Sequence, residues 1–200
     1  MTHLTIGPAN HSIQGQIPDS VTHLTFCNFF NQTIKISIPK NVTHVTFGRE
    51  FDKNIKKYIP SSVTHLIFGE KFNQNIRDCI PQNVTHLTFG TSFNQTIQGC
   101  IPSSVTHLTF GKCFNQNIEY CIPSSVTHLT FGEDFNRNIN HYLPSTRISL
   151  SFVGNFRGRI SMSLLPNLTY LNLPRYYNVE NLIIGKTKIN SATSYASSRP

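Results

Sequence analysis

Apolar side chains recur along this chain in a fixed order. Between Pro81 and Gly99 they are Val84, Leu87, Phe89, Phe93 and Ile97, with mostly polar residues between them. Val84, Leu87 and Phe89 occupy positions 1, 4 and 6 of a Leu-x-x-Leu-x-Leu strand. Side chains alternate across a strand, so Leu87 and Phe89 face a core while His86 and Thr88 face outward. Gly90 follows at the strand's end and reads as a turn of positive φ, which glycine adopts most easily. Phe93 returns to the core and Ile97 packs a layer below it. Asn94 stands where its amide can reach turn backbone and the asparagines of adjacent coils. Ile101-Pro102 then leads into the next strand, with the proline setting φ. The return segment is short, β-branched and without a helical period, which predicts extended or 3₁₀ backbone.

The same order repeats every 21 residues. His23, His44, His65, His86, His107 and His128 mark the period, and His3 precedes the first of them by 20. A fixed period of 20–29 residues predicts a solenoid in which each repeat is one coil stacked on the last. Stacking turns positions into columns: phenylalanines at 26, 47, 68, 89, 110, 131 and 152, and again at 30, 51, 72, 93, 114, 135 and 156. Asn31, Asp52, Asn73, Asn94, Asn115 and Asn136 make a third column, and Ile34, Ile55, Ile76, Ile97, Ile118 and Ile139 a fourth. The expected fold is a β-rich solenoid of about nine coils. It is a leucine-rich-repeat-like, right-handed stack with a parallel sheet on the concave face and strands ~4.8 Å apart.

The Phe-Asn and Ile-Pro pairs inside a Val-Thr-His-Leu-Thr-Phe-Gly repeat resemble the FNIP repeat family, a relative of leucine-rich repeats. The resemblance covers residues 1 to about 160 and rests on six near-copies. It implies a protein-interaction scaffold. Family members occur in amoebozoans and large DNA viruses, and some carry an F-box or another domain beside the repeats. No such domain is expected within these 200 residues.

The pattern decays after His128. Arg147 stands in place of Val, Ser149 of His, Val153 of Gly and Arg157 of Asn. Leu168-Thr-Tyr-Leu-Asn-Leu173 reads as an ordinary leucine-rich strand with Tyr170 in the histidine column. Val179 to Ile184 reads as a further strand, too close behind for a parallel crossover and so expected antiparallel or across the end. The expected organisation is repeats over 1–144, degenerate repeats and a C-terminal cap over 145–190, and a loose tail over 191–200. No cap is read ahead of the first strand, and the expectation there is fraying, a weak end-to-end homo-oligomer, or a start truncated from a longer chain.

Charge narrows the partner. The net charge is +8, yet residues 1–139 hold 10 Lys/Arg against 8 Asp/Glu. The excess lies at Arg147, Arg157, Arg159, Arg175, Lys186, Lys188 and Arg199, near Tyr170, Tyr176 and Tyr177. A nucleic-acid face clusters its basic residues with stacking aromatics, and a nearly neutral repeat array argues against one. No stretch approaches the ~20 apolar residues of a membrane span, and the start lacks a signal peptide's basic and apolar regions. An intracellular, cytoplasmic protein is expected, in the host cytoplasm if the source is viral. Sequons such as Asn31-Gln-Thr33 are then by-products of the repeat.

The histidine column is the candidate chemistry. Zinc needs about four converging ligands, whereas a linear column offers two at a time, with no carboxylate beside them to orient the rings. No metal site and no cofactor are expected. Protonated rings held this close repel, so stability should fall below about pH 7. Cys79, Cys100 and Cys121 share one column with Tyr58 and Tyr142, while Cys27 and Cys113 stand apart. Buried, reduced thiols are expected, with Cys79–Cys100 or Cys100–Cys121 as the bridges an oxidising compartment would allow. No nucleophile elbow, phosphate loop or zinc-protease helix is present, and nothing breaks the repeat between 20 and 140, so no enzyme is expected.

The expected function is non-catalytic recognition of a protein partner. Its face would comprise His23, Thr25, His44, Thr46, His65, His86, Thr88, His107, Thr109, His128 and Thr130. The variable residues after glycine would add specificity: Arg49 and Glu50, Glu70 and Lys71, Thr91 and Ser92, Lys112 and Cys113, Glu133 and Asp134. The alternative is a structural protein that assembles through its first coil, with nucleic-acid binding at the basic end as a third reading.

Overall fold

The structure is a computed structural model that describes residues 2–8, 17–34, 37–140, 142–154, 156–158, 160, 167–174, 177 and 188–191. Among the described residues ten strands follow one another. They are β1 (His3–Ile6), β2 (His23–Phe26), β3 (His44–Thr46), β4 (His65–Ile67) and β5 (His86–Thr88), then β6 (His107–Thr109), β7 (His128–Phe131), β8 (Ile148–Phe152), β9 (Leu168–Leu173) and β10 (Lys188–Ser191). They form one sheet in sequence order, each parallel to the next. Parallel neighbours need a crossover of a dozen residues or more, and a 21-residue coil supplies it. The fold is the leucine-rich-repeat-like solenoid that the period predicts. It has ten rungs rather than about nine, because Lys188–Ser191 pairs parallel with β9. The strand expected at Val179–Ile184, and residues 192–200, lie outside the described residues.

Between strands the backbone is extended or in turns, and no described residue is helical. The core is a continuous line of buried Val, Leu, Ile and Phe, and no polar side chain among the described residues is buried. Within a coil the two phenylalanines stack face to face, Phe89 on Phe93 at 3.9 Å and Phe110 on Phe114 at 3.8 Å.

Ring spacings show how the stack bends. Neighbouring histidines on the outer face of the sheet have centroids 4.1–4.2 Å apart. The first phenylalanine column steps by 5.4–5.7 Å from Phe47 onward. The second steps by 6.1–6.2 Å. Spacing widens from the histidine face through the core, so each coil is a wedge and the sheet lies on the concave side.

Two details differ from the sequence reading. Gly90 does not have positive φ. It is glycine because a Cβ there would lie 2.1 Å from the carbonyl oxygen of Gly69 in the preceding coil, and Gly48, Gly69, Gly111 and Gly132 are confined in the same way. The positive-φ position is a separate column of Lys57, Asp78, Gly99 and Tyr120. Arg147 does not fill the Val position either. It is exposed, and Ile148 at the start of β8 is buried in its stead, across from a register shift between β8 and β9.

The asparagine column is a hydrogen-bond ladder along the coils. Asn94 N–H donates to Asn73 Oδ1 and Asn115 N–H donates to Asn94 Oδ1, each at 2.9 Å. Asp52 serves as well as asparagine, its Oδ1 accepting Asn73 N–H at 2.9 Å, because the position needs only the oxygen.

Candidate functional site

The outer face of the sheet carries two columns in register. One is His3, His23, His44, His65, His86, His107 and His128, continued by Ser149 and Tyr170. The other is Thr5, Thr25, Thr46, Ile67, Thr88, Thr109 and Thr130. Ile67 interrupts the threonines with an apolar side chain 43% exposed. The imidazoles stack as parallel plates, interplanar angles running from 22° at His3–His23 to 6° at His107–His128. His23 through His107 are half-buried between their neighbours, while His3 and His128 at the column's ends are exposed.

Each ring is held by the threonine before it, which the sequence reading did not single out. The Oγ1 of Thr22, Thr43, Thr64, Thr85, Thr106 and Thr127 lies 2.8–3.0 Å from Nδ1 of the following histidine. The only trace of this role in the sequence is the constancy of the Thr-His pair, which has the look of ordinary strand filling. Burial in the stack, and then repulsion from neighbouring imidazoles, hold His44, His65 and His107 below the usual histidine pKa.

Parallel plates suit metal coordination poorly, because their outward nitrogens point alongside one another rather than toward a common centre. Among the described residues no group of three or more His, Cys, Asp or Glu is placed to hold a metal ion.

The variable residues after glycine stand on a second backbone ladder. Glu50 N–H donates to Asn28 O, Lys71 N–H to Arg49 O, Ser92 N–H to Glu70 O, Cys113 N–H to Thr91 O and Asp134 N–H to Lys112 O. Their side chains pair between coils: Arg49 with Glu70 at 3.0 Å, Lys71 with Glu50 at 2.5 Å, and Lys112 with Glu133 at 2.9 Å. Thr91 and Ser92 separate the first two pairs from the third. A shallow cleft at this rim is lined by Thr25, Cys27, Thr46, Gly48, Arg49 and Glu70, among others.

On the other side of the coil Cys79, Cys100 and Cys121 are buried. Each thiol donates to the carbonyl two residues earlier, at 3.1–3.4 Å, and burial raises its pKa. No helix among the described residues is long and apolar enough to cross a membrane.

The family model for the FNIP Repeat matches residues 30–71, 72–113 and 114–155, two coils to each match. No curated protein matches the chain. A solved structure described as CroV588, a novel circular LRR protein, is 34% identical, with a TM-score of 0.74 over 95% of this chain and 33% of its own length. The chain therefore spans about a third of that protein.

Proposed function

This chain belongs to the FNIP repeat family, and on that footing we propose that it is a non-catalytic scaffold whose concave face recognises a protein. The observation that carries the reading is the separation of constant from variable positions. Framework side chains repeat and are buried, while positions 49–50, 70–71, 91–92, 112–113 and 133–134 change charge and size on a fixed backbone ladder. A surface of that kind writes specificity without disturbing the stack. Repetition itself supports a non-catalytic role, since between 20 and 140 no coil departs from the others to build one unique site. The wedge shape of the coils makes the array an arc, in keeping with the relative described as circular.

The test is capture from native lysate with the intact chain and with a His65→Ala/His86→Ala/His107→Ala variant shown to be folded by circular dichroism. Cross-linking of the captured protein should map to the histidine, threonine and rim positions, and the variant should lose it. Cross-links confined to the return side of the coils would refute the reading. Recovery of the chain alone, with a mass that grows with concentration in light scattering, would favour self-assembly instead.

A further inference from the structure

We propose that the histidine column is a rail for an acidic, Asp/Glu-rich peptide segment of the partner, its carboxylates accepting hydrogen bonds from successive imidazole Nε2–H groups. This rests on the reading of the concave face as a protein-binding surface and names the chemistry it selects.

The hydroxyl of Thr43 lies 2.8 Å from His44 Nδ1 and 3.3 Å from the carbonyl oxygen of Thr22. That carbonyl already accepts two backbone bonds, from Thr43 N–H at 2.9 Å and His44 N–H at 3.1 Å. A carbonyl has two lone pairs, so the hydroxyl proton is directed to Nδ1 and the ring's own proton sits on Nε2. The arrangement recurs at His23, His65, His86, His107 and His128. When the ring takes a second proton it goes on Nδ1 and the hydroxyl rotates to accept it. The outward Nε2–H remains. The column thus offers donors whether neutral or charged, and none of its Nε2 atoms has a hydrogen-bond partner among the described residues.

A carboxylate has two oxygens, each able to accept from one of two rungs 4.1–4.2 Å apart. Side chains on one face of an extended peptide recur every ~6.6–6.8 Å, so alternate Asp or Glu residues reach successive parts of the column.

The surroundings favour an anion. Each imidazole from His23 to His107 lies between those of the adjoining strands, and Ser149, Tyr170 and then Lys188 follow His128 in register. The flanking column holds threonine and Ile67 beside the histidines and continues as Ser151 and Asn172. At the rim Arg49, Glu50, Glu70, Lys71, Lys112 and Glu133 are engaged with one another, with Asp134 beside Lys112. Asp19 and Lys40 are exposed ahead of β2 and β3. No carboxylate lies within either column, so protonation adds positive charge to a face that has no acid of its own to neutralise it.

The probe is a twelve-residue peptide alternating Glu and Ser, with a Gln/Ser counterpart, titrated by fluorescence anisotropy against the full chain at pH 7.5 and pH 5.5. The Glu peptide should bind at least tenfold tighter at pH 5.5, and the Gln peptide should not bind. His65→Gln/His86→Gln/His107→Gln should remove most of that gain, and Arg147→Gln/Arg157→Gln in the basic end should leave it. Long-range ¹H–¹⁵N spectra of the unaltered chain provide a check independent of any variant, since the imidazole Nε2 signals should shift on adding the Glu peptide. Binding that is indifferent to pH, that disappears with the arginine variant, or that leaves the imidazole signals unmoved would overturn the proposal. The cross-linked footprint of a captured partner would still stand or fall separately, so failure here is distinguishable from failure of the scaffold reading.

Discussion

At the residue scale, the glycine after each strand shows why local reasoning needs the neighbouring coil. Its conformation is ordinary, and what confines it is a carbonyl oxygen about 2 Å from where a Cβ would stand. Gly90→Ala should therefore destabilise by more than about 3 kcal/mol, beyond the usual range for overpacking, because the obstacle is backbone that cannot rotate away. Gly7→Ala, with nothing within 4 Å of its Cβ position, should be close to neutral. Chemical denaturation of both variants checks the contrast. Three of the histidines follow the same logic of near neighbours. His44, His65 and His107 bind protons less readily in the folded column than in the unfolded chain, chiefly through burial and then through one another. A lowered folded pKa means that stability is present above the unfolded value near 6.5 and is lost as pH falls from there through the folded values. The Tm should fall between about pH 7 and pH 5, and His44→Gln/His65→Gln/His107→Gln should flatten that slope in calorimetric scans. Columns of histidine and phenylalanine could be read from spacing alone. The left-handed backbone at Lys57, Asp78 and Tyr120 could not, since none of these residue types advertises it and only Gly99 in that column does.

At the scale of the coil, stability runs along columns rather than within one element. A strand of three residues has little pairing of its own, and it persists because the rungs on either side, the stacked phenylalanines and the asparagine ladder all repeat in register. Asn94 accepts from Asn115 N–H and from Gln116 Nε2, each at 2.9 Å. Asn94→Ala should cost about 1–2 kcal/mol by leaving Asn115 N–H without its acceptor, while Gln116 Nε2 keeps the Asn94 backbone oxygen. Asn94→Asp should be tolerated, since Asp52 already fills the same role one period and another below. Thermal melts of the two variants would separate a need for the carbonyl-type oxygen from a need for the amide. The ladder could be anticipated from the recurring asparagine. The threonine that holds each imidazole could not, because Thr in a strand is unremarkable until its hydroxyl is seen beside Nδ1.

At the scale of the molecule, each coil touches only its neighbours, so the array should accept the loss of one. Deleting residues 72–92 removes one 21-residue period and should leave a folded chain. Its unfolding should stay cooperative, with a urea m-value lower by about a tenth, in proportion to the surface no longer exposed. Loss of cooperativity would show that one coil carries something the others lack. The sequence alone determined the period, and with it the parallel in-register sheet, the buried columns and the family. A 21-residue repeat that returns the same side chains to the same places allows few other ways to bury them. Only the tertiary structure decided the size of the wedge between coils, the reason for its glycines, the tenth strand and Ile148 in place of Arg147. Each of these depends on distances between coils, which no single period encodes.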